Sequence, residues 1–352
     1  LAAVGSTSAL INLFTNVFIG LSIGTNVLIA HFIGAGDKSK VSKTVHTSMV
    51  LGIVCGFFLA FLGIVFANPM LKLMGNPDNV IDLATLYLKI YFLGMPAMLV
   101  YNFGAAMLRA SGNTSTPLVF LTIAGVVNVI LNLILVIPCH MGVAGVGIAT
   151  VVSQYVSAVL ILLYLCSKDN ELHFSFKQMC IKKDILIKIV KIGLPAGIQG
   201  MVFSFSNVVI QSSINSFGSI VVAGNSAASN IEGFVYMAMN AMYQTAITFV
   251  GQNYGAGKNK RVLQVLFQCQ AIVIVIGLVL GNLAYYFGEQ LLHFYSDSDA
   301  VVAAGIVRLK YICTVYFLCG IMDVMVGVLR GIGKSIMPMI VSILGACVLR
   351  LV

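Results

Sequence analysis

The sequence predicts an all-α protein that crosses a membrane many times, and three observations carry that prediction. Of its 352 residues, 59% are hydrophobic and only 9% are charged, with a mean hydropathy of +1.02, whereas a soluble domain is about 25% charged. The apolar residues form continuous runs rather than the every-second-residue pattern of a membrane β-barrel. The basic residues that give a net charge of +9 lie mainly in short gaps between those runs and do not form a nucleic-acid-binding patch. The composition therefore excludes a soluble cytosolic enzyme.

The apolar runs predict individual spans, because about 20 mainly apolar residues in a helix cross the ~30 Å hydrocarbon core. Reading along the chain on that criterion gives ten spans, the last one incomplete. They fall near residues 7–33, 43–67, 82–107, 117–138, 142–166, 188–217, 223–253, 262–287, 301–329 and 336–352.

The placement of basic residues predicts the orientation of the spans. Most Lys and Arg side chains lie in every second gap, which the positive-inside rule assigns to the cytoplasm. The polar linker 167–187 is one of these gaps, so we expect a multi-pass protein of the cell membrane with that linker in the cytoplasm. Lys89, Arg308 and Lys310 lie inside the beginnings of spans and depart from the rule.

An internal repeat relates the two halves of the chain. Gly34-Ala35-Gly36 recurs 221 residues later as Gly255-Ala256-Gly257, and several other pairs share that offset without gaps. The further pairs are Leu108-Arg109 with Leu329-Arg330, Gly112 with Gly333, and Pro117 with Pro338. Such a repeat predicts two parallel six-helix lobes, as in transporters that bind substrate between two bundles.

The same offset predicts the domain organisation. We expect an N-lobe over 1–166 that lacks its first helix and a linker over 167–187. A C-lobe over 188–352 would lack its last one and a half helices. The full arrangement would hold twelve helices, of which about ten lie in these 352 residues.

Ionisable residues inside apolar spans are the best candidates for chemistry, because each costs about 2.5–3.5 kcal/mol to insert. Glu232, Asp323 and Arg350 meet this condition, and we expect a role for them in coupling transport to an ion. The alternative is that these charges pair with one another and hold helices together.

Polar uncharged residues and turn motifs provide further candidates. Interhelical hydrogen bonding is the alternative role for the polar residues, and the doubled turns are expected to shape cytoplasmic loops and gates. The cavity-lining candidates are Gln199, Asn207, Gln211, Asn102 and Gln154. The loop and gate candidates are Gly34, Gly36, Arg109, Gly112, Gly255, Gly257, Arg330 and Gly333.

Several of these segments resemble the MATE family of multidrug and toxic compound extrusion transporters. The resemblance rests on segments 1–5, 33–37, 108–114, 142–154, 251–257 and 329–334. It implies twelve helices in two lobes and a central cavity that faces each side of the membrane in turn. It also implies export of cationic or amphipathic compounds in exchange for Na⁺ or H⁺. Many Na⁺-type members carry a Glu in the seventh helix, where this sequence has Phe203.

The leading prediction is therefore a secondary antiporter that acts as a monomer in the lipid bilayer on small organic substrates. The alternative is a flippase for lipid-linked precursors, from a related branch, which would need a strongly cationic cavity. A channel fits poorly, since the sequence shows no ring of like charges. We expect no enzyme activity, no cofactor, no metal site and no nucleic-acid partner, because no phosphate loop or metal-binding spacing is present.

Overall fold

The computed structural model describes residues 2–73, 78–167 and 172–348, and every regular element in those ranges is helical. This confirms the predicted all-α class. Arg350 lies outside the described residues. The chain divides into two compact units, residues 1–204 and 205–352. The boundary falls inside a helix rather than at the predicted linker, so the predicted division into lobes stays a prediction.

The first unit is a bundle in which a bent central helix pair packs against its neighbours. Its elements are α1 (Ala2–Gly34), α2 (Lys38–Leu73), α3 (Asp78–Leu93), α4 (Met95–Ala110), α5 (Ser115–Val136), α6 (Gly142–Cys166) and the beginning of α7 (Lys183–Asn215). Helix α4 packs against α1, α2 and α6, and α5 packs mainly against α6. Phe92, Phe103 and Met107 are among the fully buried side chains that fill this core.

The second unit repeats that architecture. Its elements after the end of α7 are α8 (Ser219–Gly255), α9 (Asn259–Tyr286), α10 (Gly288–His293), α11 (Asp299–Cys313), α12 (Phe317–Gly331), α13 (Ile336–Ser342) and a π-helical turn (Ile343–Val348). Helix α8 packs against α9, α11 and α12, as α1 packs against α2, α3 and α4.

Two predicted spans are broken in the middle. The run predicted over 82–107 is the pair α3 and α4, bent by 45°, and the run over 301–329 is the pair α11 and α12, bent by 47°. In the first unit, Gly94 lies at the break, and a Cβ there would meet the Gln154 side chain. The two breaks occupy equivalent places in the repeat.

Among the described residues, six helices are long and apolar enough to cross a membrane, and the two bent pairs raise that number to eight. Ten spans were expected from the sequence. Helix α8 is long but carries many amide side chains and Glu232, and α13 is short. These two helices account for the difference.

The repeated turns have the same backbone geometry in both units. Gly36 and Gly257 each have φ of +70°, and Gly112 and Gly333 have φ of +91° and +84°. The hydrogen bonds match as well: Asn113 N–H donates to the Leu108 carbonyl, and Lys334 N–H donates to the Leu329 carbonyl. An L side chain is strained at such φ values, so the doubled glycines in the sequence are explained by the turns.

Candidate functional site

An ion pair lies inside the second unit, between α8 and α11. The Arg308 guanidinium donates to Glu232 Oε2 from Nη2 at 2.6 Å and from Nε at 3.1 Å. Both side chains are largely withdrawn from solvent, with 20% and 16% of their surface exposed. The charge of Glu232 is therefore neutralised by a strong, two-point contact.

The ion pair continues into a chain of amide side chains. Arg308 Nη1 donates to Asn225 Oδ1 at 2.6 Å, and Asn225 Nδ2 donates to Gln211 Oε1 at 3.4 Å. Gln211 Nε2 donates in turn to Asn215 Oδ1 at 2.9 Å. This polar chain joins the end of α7 to α8 and α11, and it uses all three nitrogen atoms of the Arg308 guanidinium.

Asp323 has a different environment, on α12. Its Oδ2 atom is buried and has no hydrogen-bond partner among the described residues. Tyr236, Tyr243 and Arg330 lie near enough to interact with the carboxyl group electrostatically. Arg330 itself is buried, donates to the Tyr243 hydroxyl and lies over the Tyr243 ring. Asp323 is thus held near a positive charge but keeps one oxygen available.

A second buried acceptor lies in the same part of the unit. Gln270 on α9 donates from Nε2 to the Ile321 carbonyl, two residues before Asp323, at 3.1 Å. Its Oε1 atom is buried without a hydrogen-bond partner among the described residues. Carboxylate and amide oxygens are the ligands that hard cations prefer, so this packing of α9 on α12 offers acceptors for a small cation or a proton.

The equivalent positions of the first unit carry no such charges. Subtracting 221 places Ile11 at the position of Glu232 and Tyr87 at the position of Arg308, and both are buried in one apolar cluster. Asn102 takes the position of Asp323, and its Nδ2 donates to the Met98 carbonyl of its own helix. Within the described ranges, the Glu232–Arg308 pair and Asp323 therefore have no charged counterparts in the first unit, although that unit buries the Nε atom of Arg109, the counterpart of Arg330.

The predicted cavity-lining residues are divided between the two units. Gln199 is buried in the first unit, whereas Asn207 is exposed in the second. Gln211 belongs to the polar chain, and Asn102 bonds within α4. Gln154 packs beside the break at Gly94. Their assignment to a substrate cavity stays a prediction.

The predicted loop residues occupy the repeated turns. Helix α1 ends at Gly34 and helix α8 ends at Gly255. Two residues after each helix end is a glycine with positive φ, Gly36 or Gly257. Arg109 lies near the end of α4, and Arg330 lies beside Tyr243 near the end of α12. Gly112 and Gly333 complete the turns after these arginines. A gating role for this set stays a prediction.

Sequence reasoning missed Arg308 as the partner of Glu232. Its signal was present, because Arg308 lies inside a span and departs from the positive-inside pattern. Asn225, Gln270 and Tyr243 were also missed, since a polar residue within an apolar run does not show which helix it faces.

These observations define the class of protein: a multi-pass helical membrane protein built from two related units, with buried charge in the second. The sequence model of the MatE family matches residues 1–134 and 195–352. The chain therefore belongs to the MATE family, as the resemblance of its motifs predicted, and it is a protein of the cell membrane.

Curated relatives cover nearly the whole chain. The probable multidrug resistance protein YpnP of Bacillus subtilis (strain 168) is 30% identical over 99% of this chain and 78% of its own length. The probable multidrug resistance protein YoeA of the same strain is 27% identical over 97% and 75%. A protein named FAD transporter, of Shewanella oneidensis, is 24% identical over 86% and 68%.

Solved structures share the fold. An outward-facing MATE transporter of the MOP superfamily has a TM-score of 0.91 at 22% identity, covering 97% of this chain and 77% of its own. A MOP superfamily transporter from Pyrococcus furiosus, whose report describes a binding pocket of reverse polarity, has a TM-score of 0.88 at 21% identity, with the same coverage.

Proposed function

We propose that the protein exports toxic organic compounds from the cell in exchange for Na⁺ or H⁺, by alternating access of a site within the membrane. The relatives named multidrug resistance proteins support the substrate class. The two repeated units support the mechanism, since paired bundles that rock against each other are a common basis of alternating access. We further propose that it acts as a monomer.

The observation that carries the coupling role is the unpartnered oxygen of Asp323. A carboxyl group inside a bundle is a default candidate for an ion or proton relay. Both Glu232 and Asp323 were candidates from the sequence, but Glu232 Oε2 accepts two hydrogen bonds from Arg308. Asp323 keeps Oδ2 available beside Tyr236, while Arg330 limits how strongly the carboxylate binds a cation. We therefore propose that Asp323 loads and releases the coupling ion and that Glu232 is a structural partner.

Everted membrane vesicles containing the protein test this proposal, with ethidium as substrate. Ethidium uptake should be driven by a Na⁺ gradient or by a pH gradient, and should fall to the passive rate when neither is imposed. The gradient-driven uptake rate of the Asp323→Asn variant should be at least tenfold lower than that of the wild type at the same protein content.

The matched control is the double variant Glu232→Ile with Arg308→Tyr, which installs the pair that the first unit carries at these positions. It should keep most of the driven rate. If the double variant loses driven uptake as completely as Asp323→Asn, the proposed division of roles is wrong. If no imposed gradient drives ethidium uptake into wild-type vesicles, ion-coupled export of this substrate class is wrong.

A further inference from the structure

The chain that leads into α7 crosses the beginning of α2 in the first unit. This segment, residues 172–182, is called the strap below, and it includes a short 3₁₀ turn at Phe176–Gln178. Leu172 and Phe174 are fully buried, in one apolar cluster with side chains of α2. Residues 176–182 are exposed. The strap is therefore a thin cover that is held to α2 on its inner side and exposed on its outer side.

His46 on α2 is buried under the strap and uses both of its ring nitrogens. The Ser175 backbone nitrogen lies 3.1 Å from His46 Nε2, and the Ser42 carbonyl oxygen lies 2.8 Å from His46 Nδ1. A backbone N–H can only donate and a carbonyl can only accept, so Nε2 is the bare acceptor and Nδ1 carries the proton. The Phe174 ring lies against the imidazole, with ring centres 5.4 Å apart. These contacts require the neutral imidazole in a single tautomer.

The other hydrogen bonds that hold the strap in place are made by uncharged groups. Phe174 N–H donates to the Leu165 carbonyl at the end of α6, at 2.8 Å. Thr47, the next residue of α2, donates its hydroxyl to the Cys180 carbonyl at 3.4 Å and accepts from Lys182 N–H at 3.2 Å. Among these anchors, only the bond to the imidazole is changed when a side chain gains a proton.

A proton on His46 Nε2 would turn this anchor into a repulsive contact. Two donors would then face each other, and a positive charge would lie out of contact with water, both of which are costly without a partner. Within the described residues, the hydrogen bonds of the ring are those to Ser175 and Ser42, so no carboxylate compensates the charge. Histidine is the side chain that ordinarily changes charge between pH 5 and 8. Opening of the strap would remove both costs, because the ring would then reach water.

The charges on the surrounding elements do not favour a protonated ring in the closed strap. The carboxylate of Asp37 is paired with Lys40, and Asp184 at the beginning of α7 is exposed. The other described groups nearby in the chain or on packed helices are cationic or are histidines, and none forms a hydrogen bond or ion pair with the His46 ring. They are His31, Lys38, Lys43, Arg109, His173, Lys177, Lys182 and Lys183.

We propose that the strap is a pH-sensitive latch, closed while His46 is neutral and released when His46 is protonated. Release frees residues 172–182 from the beginning of α2 and leaves the helices of the first unit packed. The strap runs directly into α7, which begins at Lys183, so the closed latch fixes the approach to that helix. The inference concerns the linker alone and does not rest on the proposed export function.

Hydrogen–deuterium exchange of the purified protein in nanodiscs tests the latch. Exchange is compared at pH 7.5 and pH 5.5, with labelling times adjusted so that the intrinsic exchange of an open chain is equal. Peptides covering 172–182 should be protected at pH 7.5 and should exchange at least about tenfold faster at pH 5.5, whereas peptides from α4 should not change. Equal protection of the strap at both pH values overturns the proposal, as does loss of protection throughout the first unit at pH 5.5.

Three variants separate the imidazole from the rest of the strap. His46→Gln supplies an acceptor that does not titrate, so the strap should stay protected at both pH values. Thr47→Val removes two uncharged anchors and should lower protection at both pH values while keeping the pH response. His173→Gln removes the histidine of the strap itself, whose Nδ1 lies 3.1 Å from the Ser167 carbonyl, and should behave as the wild type. The proposal is wrong if the pH response persists in His46→Gln or disappears in His173→Gln.

Nitrogen NMR of protein labelled with ¹⁵N-histidine checks the protonation state directly. The His46 signals are identified by their absence in His46→Gln. At pH 7.5 they should show a protonated Nδ1 and a bare Nε2, and at pH 5.5 both nitrogens should be protonated. A protonated Nε2 at pH 7.5, or a neutral ring under an open strap at pH 5.5, overturns the proposal.

Discussion

The two units share a backbone but differ in what they bury. The turns at Gly112 and Gly333 have matching φ values, and the central helices bend by 45° in one unit and 47° in the other. The interiors diverge, because Ile11 and Tyr87 in the first unit are replaced by Glu232 and Arg308 in the second. The repeat therefore specifies the scaffold, while the ionisable groups proposed for coupling lie on only one copy of it.

One close helix crossing belongs to the shared scaffold. A Cβ added to Gly56 would lie 2.5 Å from the Pro96 Cα, and one added to Gly277 would lie 2.6 Å from the Phe317 Cα. These residues are equivalent at the offset of 221, so the crossing of the second helix with the bent central pair is the same in both units. Small residues allow such close packing of membrane helices.

The largest expected effect comes from breaking the ion pair that distinguishes the second unit. Arg308→Gln should destabilise the protein by about 3 kcal/mol, because it leaves the Glu232 carboxylate withdrawn from solvent without its partner. Thermal unfolding of the purified protein in detergent, followed by size-exclusion chromatography, measures the change.

The compensating variant for this pair is Glu232→Ile with Arg308→Tyr, which copies the first unit. It should recover most of the lost stability, since replacing a buried ion pair by packed apolar residues is often neutral. A double variant no more stable than Arg308→Gln would show that the two interiors cannot be exchanged.

A similar loss should occur in both units when the close crossing is disturbed. Gly56→Ala and Gly277→Ala should each cost about 1–3 kcal/mol, because the added methyl group overlaps backbone atoms of the neighbouring helix. The same unfolding assay applies, and the two losses should agree within about a factor of two.

Two other helical glycines provide controls for this pair. Gly125 in α5 and Gly233 in α8 have open space where a Cβ would lie, so Ala at either position should be neutral or stabilise the helix by up to about 1 kcal/mol. If only one of Gly56→Ala and Gly277→Ala lost stability, the equivalence of the two units would be contradicted.

The repeated turns should show a smaller, equal effect. Gly112→Ala and Gly333→Ala each place a side chain at positive φ, which costs about 1 kcal/mol. Nothing else lies within reach of a Cβ at Gly112, so strain of the backbone alone sets the cost there. Differences above about 1 kcal/mol between the two unfolding free energies would show that the turns are not equivalent.

The smallest expected effect concerns a contact found only in the first unit. Asp37 accepts a hydrogen bond from the Lys40 backbone at 3.0 Å and pairs with its ammonium group at 2.8 Å, whereas Lys258 and Arg261 occupy the equivalent positions. The hydrogen bonds from Lys40 lower the pKa of Asp37. The Asp37–Lys40 contact therefore stabilises the folded protein above the ordinary carboxyl pKa. This stabilisation is lost as the pH falls through the lowered pKa of Asp37.

Unfolding temperatures of the wild type and Asp37→Asn test this contribution. The small difference at pH 7 should begin to shrink as the pH falls below about 4 and should vanish only below the lowered pKa of Asp37. A difference that stays constant from pH 7 to pH 3 would show that the carboxylate charge does not contribute.

Much of the scaffold was predictable from the sequence. The offset of 221 residues identified the turns at Gly36 and Gly257 correctly, because a required φ selects the same residue type in both copies. The break at Gly94 carries a sequence signal, since a glycine and Pro96 interrupt the apolar run. The matching break at residues 314–316 has neither residue type, so only the repeat could have indicated it.

The candidate site was less predictable. The free-energy cost of placing a charge in an apolar span identified both Glu232 and Asp323 as candidates. Only the packing of α8 on α11 shows that Arg308 neutralises Glu232 and not Asp323. The offset could not reveal Arg308, because its counterpart is the uncharged Tyr87. Lys89 and Lys310 were visible as departures from the charge pattern, and only the fold shows that both are exposed.

Driven uptake by the Asp323→Asn variant tests most directly the claim that the second unit carries the coupling site. Ethidium uptake into everted vesicles is measured with an imposed Na⁺ or pH gradient and again without one. The Asp323→Asn variant should respond to neither gradient, whereas the double variant Glu232→Ile with Arg308→Tyr should still respond. Gradient-driven uptake by Asp323→Asn at the wild-type rate would contradict it.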